Sequence, residues 1–117
     1  MSGAAGHKFK ADTTVSVKYD KPKPNDPYAT GSFGGNVNSE KPRCEKKRTV
    51  TLVQRTATGS TNVGTDLTDA NGVWQISPSA TVAPGAYFAK VAKRVIRKNT
   101  KHRHICKRAV SKDVTVK

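Results

Sequence analysis

Two turn-and-strand phrases constrain this chain more than anything else in it: Thr68-Asp69-Ala70-Asn71-Gly72-Val73-Trp74, and Pro84-Gly85-Ala86-Tyr87-Phe88-Ala89-Lys90-Val91. In the first, Asp, Asn and Gly stand where a tight turn needs side-chain-to-backbone hydrogen bonds and a positive φ, and an alternating strand led by an aromatic residue follows. The second is a Pro-Gly turn that feeds another aromatic strand. Together they predict consecutive antiparallel strands.

The rest of the chain continues the pattern. Val15, Val17 and Tyr19 alternate with polar residues, which predicts a first strand with one dry face, ended by Lys21-Pro22-Lys23-Pro24. Phe33, Gly35 and Val37 predict a second, in which Gly34 and Gly35 point to a bulge or a close backbone contact. Thr49 to Gln54 is the most strand-like window, with Val50 and Leu52 on one side and Thr49, Thr51 and Val53 on the other. A polar loop over 57–62 precedes Val63, Thr65 and Leu67. After the Asp-Ala-Asn-Gly turn come Val73 to Ile76, a long strand through Tyr87, Ala89 and Val91 that continues to Ile96, and a last strand at Val114 and Val116. About seven strands, with turns every eight to twelve residues and no amphipathic helix, predict an all-β sandwich. At 117 residues it is one domain, over 12–117, preceded by a flexible small-residue arm over 1–11. With 13 Val, 2 Leu, 3 Ile and 3 Phe, the core is thin and calls for a crosslink or a partner.

The turn phrases resemble those of bacterial prealbumin-like and carboxypeptidase-regulatory-like immunoglobulin-type modules, over roughly residues 30–117. The resemblance implies an immunoglobulin-like or prealbumin-like sandwich that binds, spaces or decorates and does not catalyse. It also implies a disulfide between Cys44, ahead of a basic strand start, and Cys106, near the last strand. In the chain-entropy description such a bridge contributes about 4 kcal/mol.

The residues offer little else for chemistry. His102, His104 and Cys106 share one face if 102–106 is a strand, yet Lys101, Arg103, Lys107 and Arg108 surround them and repel a metal cation. Asp66, Asp69 and Asn71 carry calcium-type oxygens, but the turn itself uses Asp69 and Asn71. The 8 carboxylates show no acid–base pairing, no nucleophile triad is in place, and no phosphate-binding glycine loop occurs. No enzymatic activity, cofactor or small-molecule substrate is expected. Nothing in the chain is apolar enough over 18 residues to span a membrane, and the N-terminus lacks the apolar region of a secretory signal.

Charge is the strongest functional signal. A net charge of +14 is concentrated in Lys93, Arg94, Arg97, Lys98, Lys101, Arg103, Lys107 and Arg108, with Arg43, Lys46, Lys47 and Arg48 beside them if the cysteines pair. Such an end attracts a polyanion: nucleic acid, teichoic acid or an acidic protein surface. No aromatic residue stands within the basic segment, which argues against specific nucleic-acid recognition. The expected function is that of a structural protein, a bacteriophage virion decoration protein associated with capsid or tail, docking through its basic surface and its arm. The alternatives are a secreted actinobacterial cell-wall or adhesion domain, and a nucleic-acid-binding protein.

Overall fold

A computed structural model describes residues 7–22, 24–25, 31–78, 82–99 and 102–117. Among these residues the chain is all-β, with a single 3-10 turn at Pro42–Cys44 and no α-helix. The strands are β1 (His7–Ala11), β2 (Thr13–Val15), β3 (Lys18–Asp20), β4 (Ser32–Ser39), β5 (Thr49–Thr56), β6 (Gly59–Leu67), β7 (Val73–Ile76), β8 (Gly85–Val91), β9 (Arg94–Asn99), β10 (His102–Cys106), β11 (Ala109–Val110) and β12 (Val114–Val116).

They form three sheets. In the first, β2 and β3 share one edge of β4 and β7 takes the other. In the second, β11 and β12 share one edge of β8, which pairs β5, which pairs β6. The inward faces of these two sheets make the main core: Val15, Phe33, Val37, Trp74 and Ile76 from one, Val50, Leu52, Tyr87, Ala89, Val91 and Val116 from the other. The third sheet, β1-β10-β9, lies outside that core and has one of its own in Ala11, Cys44, Cys106 and Ile96.

The first turn phrase works residue by residue. Asp69 Oδ1 accepts the Asn71 and Val73 amides at 2.8 and 2.9 Å, and the Gly72 amide donates to the Asp69 carbonyl at 3.1 Å. Gly72 has φ 80° and packs so closely against the Val37 carbonyl that a Cβ there would collide with it. Its own carbonyl accepts the Val37 amide at 2.7 Å, which ties the turn to β4. Trp74 then enters the core at 1% exposure, and its indole N–H donates to the Ser16 carbonyl at 3.2 Å.

That carbonyl also explains why the first predicted strand is two. The chain bulges at Ser16, whose amide donates to the Asn36 carbonyl while its hydroxyl accepts the Asn36 amide. The bulge presses against Gly35, where any side chain would strike the Ser16 carbonyl, so the glycine marks a close backbone contact as its position predicts.

Four further expectations change. The polar stretch 57–62 is not a loop: β5 and β6 form a hairpin around Ala57 and Thr58, and Thr56 pairs Gly59. Its ladder rests on backbone bonds and needs no apolar alternation. The long strand through Val91 stops there, and after Ala92 and Lys93 the chain joins the third sheet as β9. Residues 102–106 form β10, hidden in the sequence by the density of charge around it. The arm is in part a strand, because His7–Ala11 runs parallel to β10 with Lys10 opposite Ile105 and Ala11 opposite Cys106, while residues 1–6 lie outside the described residues. Val53 faces away from the main core, as the alternation predicts, yet is 1% exposed; its cross-strand partner Phe88 lies 4.4 Å under the Arg55 guanidinium.

Trp74→Ala should lower stability by about 3–5 kcal/mol, the usual effect of deleting a large buried aromatic. Denaturant unfolding measures it, and an unchanged midpoint would contradict this placement of β7.

Candidate docking surface at the basic end

The basic end is organised around a disulfide and a buried cation. Cys44 and Cys106, both fully buried, are joined with their Cα atoms 5.3 Å apart, so the bridge links the 3-10 turn after β4 to the end of β10. The pairing implied by the resemblance is therefore present, and it takes both sulfurs out of metal ligation.

Arg48 is the correction to the expected surface. Its sequence neighbourhood is polar, but the side chain has 0% exposure and no part in a solvent-facing patch. One terminal nitrogen donates to the Cys44 carbonyl at 2.7 Å and to the Thr13 hydroxyl at 3.2 Å. The other donates to the Ala92 and Lys107 carbonyls at 2.9 and 2.7 Å. Its backbone amide donates to the Thr68 hydroxyl, which itself donates to the Glu45 carbonyl. The guanidinium fork gathers three carbonyls and a hydroxyl from four separate segments, which is why the chain keeps a charge inside. Burial, and then the nearby Arg94 charge, hold its pKa below the ordinary arginine value.

The other expected cations divide between the two faces of the third sheet. Alternation along β10 sends His104 and Cys106 to one side, where a terminal nitrogen of Arg43 lies 3.1 Å from His104 Nε2. Arg94, paired in register with Cys106, donates to the Lys46 carbonyl at 2.9 Å, and Lys46 and Lys47 are exposed nearby in sequence. On the opposite side Arg103 and Ile105 line a concavity of about 700 Å³, completed by Lys10, Lys93, Lys107 and Arg108. A second hollow of about 480 Å³ shares Lys93 and Arg108 and adds Lys90, Thr51 and Val110. The two adjoin at Lys93 and Arg108, and together they are called the basic groove.

Lys10 and Lys90 are absent from the sequence-based set. Lys10 reaches the groove only through the parallel pairing of β1 with β10, which no local signal announces. Lys90 was legible as the outward residue of the Ala89-Lys90-Val91 alternation. Arg97 and Lys98 belong to β9, where Arg97 stands opposite Arg103 in register, and Lys101 lies outside the described residues.

Two ion pairs occur among the described residues: Lys107 with Asp12 at 2.7 Å, and Arg55 with Asp113 at 2.7 Å. The first holds the Lys107 ammonium above its ordinary pKa through the Asp12 hydrogen bond and charge. The carboxylates of the 66–71 segment are engaged in the fold: Asp66 Oδ2 accepts the Gln75 amide at 2.8 Å, and Asp69 holds its turn.

Replacing Arg48 orphans the buried Cys44 carbonyl and the partly buried Ala92 and Lys107 carbonyls, at up to about 1–3 kcal/mol each. Arg48→Ala should lower stability by about 3 kcal/mol or more, and Arg48→Lys should recover little of it, because an ammonium cannot span the fork. Urea unfolding of the two variants tests this; a lysine variant as stable as the natural protein would contradict it.

No family model matches the chain, and neither a curated protein nor a solved structure does.

Proposed function

We propose that this chain is a non-enzymatic structural module of immunoglobulin-like type that docks through its basic end onto an anionic surface of a larger assembly. The observation that carries the reading is the groove: five of the six described residues lining its larger hollow are cationic. Like charges in such proximity repel, which works against the fold unless a partner neutralises them.

Three features support the immunoglobulin-like part. Counting β2/β3 and β11/β12 as one position each, the packed sheets hold three and four strand positions. Their order, first-second-fifth in one sheet and seventh-sixth-third-fourth in the other, agrees with the Greek-key connections of immunoglobulin-like sandwiches. In the sixth position the Tyr87 hydroxyl donates to the Ala83 carbonyl at 2.6 Å, an arrangement like the tyrosine corner of such domains. Burial raises the pKa of that phenol.

The assembly this reading takes first is a bacteriophage virion, with the chain as a decoration protein of capsid or tail. A second reading, a secreted cell-wall or adhesion domain, is favoured by one observation. The Cys44–Cys106 disulfide suits a chain that matures outside the reducing cytosol. In both, binding comes from a charged face and not from an enclosed pocket. The anchoring role given to residues 1–11 is narrowed, since His7–Ala11 is built into the third sheet.

Fractionation of the native source tests the proposal. The protein should sediment with virions, or with cell walls, at about 50 mM salt and be released as salt rises, because screening shortens the reach of surface charge. Protein that is free of both fractions at low salt would contradict docking.

A further inference from the structure

Building on that docking reading, we propose that the groove lined by Lys10, Lys93, Arg103, Ile105, Lys107 and Arg108 is a binding site for a thin phosphodiester polymer without bases, of the poly(polyol phosphate) kind.

The lining decides the class. Among the described residues, five cations and one aliphatic side chain surround the larger hollow, and no carboxylate or aromatic residue does. The adjoining hollow adds Lys90 and the small or aliphatic residues Val91, Ala92, Ala109 and Val110. Single-stranded nucleic acid is held by aromatic platforms on which bases stack, and the described residues of this lining supply none. Duplex DNA is read through elements inserted into its grooves, and as a whole it is too broad to enter a hollow of about 700 Å³. A slender chain bearing one negative charge per repeat fits a hollow of this size and needs only point charges. Lys10, Lys90, Lys93 and Lys107 supply those, with the guanidinium groups of Arg103 and Arg108 among them. Ile105, itself only 7% exposed, gives the carbon backbone of such a polymer an apolar floor.

The cations are also available. Among the described residues, Lys107 is the one member of the lining with an ion pair, and its partner Asp12 has an 80% exposed side chain. An incoming phosphate can displace so hydrated a carboxylate. The site is stiff at its base, where the Arg48 guanidinium holds the Lys107 carbonyl and the disulfide fixes Cys106.

The test is equilibrium binding of the intact oxidised protein to fluorescent poly(glycerol phosphate), compared with single-stranded DNA, duplex DNA and poly-L-glutamate of matched charge number, across a salt series. The natural protein should bind the polyol phosphate at least tenfold more tightly than either DNA. The pair Lys93→Gln with Arg103→Gln should lose at least tenfold in affinity, and the slope of log affinity against log salt should fall by about 0.7 per cation removed. Lys18→Gln with Lys21→Gln removes the same charge elsewhere and should change affinity less than twofold. If the groove pair melts early, Lys10→Gln with Arg108→Gln serves in its place. Equal losses in both sets would make net charge the cause and overturn the site. Binding to DNA or poly-L-glutamate as tight as to the polyol phosphate would overturn the ligand class while leaving polyanion docking intact. Failure to bind any of the four polymers would overturn both.

Discussion

A guanidinium group that, among the described residues, bonds carbonyl and hydroxyl oxygens and no carboxylate sits at the junction on which the rest of this structure depends. Arg48 holds the Cys44, Ala92 and Lys107 carbonyls and the Thr13 hydroxyl in one fork. Those four residues stand at the 3-10 turn, in β2, and at the chain's exit from and return to the second sheet. A buried charge is expensive unless it is fully hydrogen-bonded. Here three backbone carbonyls and the Thr13 hydroxyl bond the two terminal nitrogens, while the buried Nε has no hydrogen-bond partner among the described residues, so the charge is satisfied at four of its five donors. Arginine is the residue whose five donors can collect acceptors arriving from several directions.

The disulfide and Arg48 act on the same junction from different sides. The third sheet has few apolar residues to bury, and its small core of Ala11, Ile96 and the two cysteines is built around sulfur. The bridge covalently limits how far β10 can leave the 3-10 turn, while Arg48 sets the path of the chain on either side of β9 and β10. The outcome is a strongly basic sheet held against a sandwich whose main core lies elsewhere. Alternation on β10 then decides which cations serve the fold and which serve the groove: His104 and Cys106 meet Arg43 and Cys44, and Arg103 and Ile105 face the hollow.

The main sandwich was legible because its turns carry their chemistry in the sequence. Asp69, Gly72 and Trp74 each do what their residue type predicts, and the alternation of Val50 and Leu52 or of Tyr87, Ala89 and Val91 marks the inward faces. The third sheet was not legible, because a parallel pairing between residues 7–11 and 102–106 leaves no local trace and the basic run hides the alternation of β10. Arg48 could not be distinguished from its neighbours Lys46 and Lys47 for a related reason. Whether an arginine lies inside depends on carbonyls brought to it by distant segments, which composition does not record. Cys44 and Cys106 lie between these cases: the resemblance implied their pairing and the bridge is present, but the cations expected beside it divide between two faces and Arg48 is buried.

The central claim is that Arg48 and the disulfide hold a basic sheet so that one of its faces forms the docking groove. Amide hydrogen exchange of the oxidised protein, with and without saturating poly(glycerol phosphate), tests it most directly. The account predicts that added polymer slows exchange in β1, β10 and residues 107–110, and leaves the β5–β6 hairpin tip around residues 56–60 unchanged. Protection at that tip, or over the β3-β4-β7 face in place of the groove strands, would contradict it.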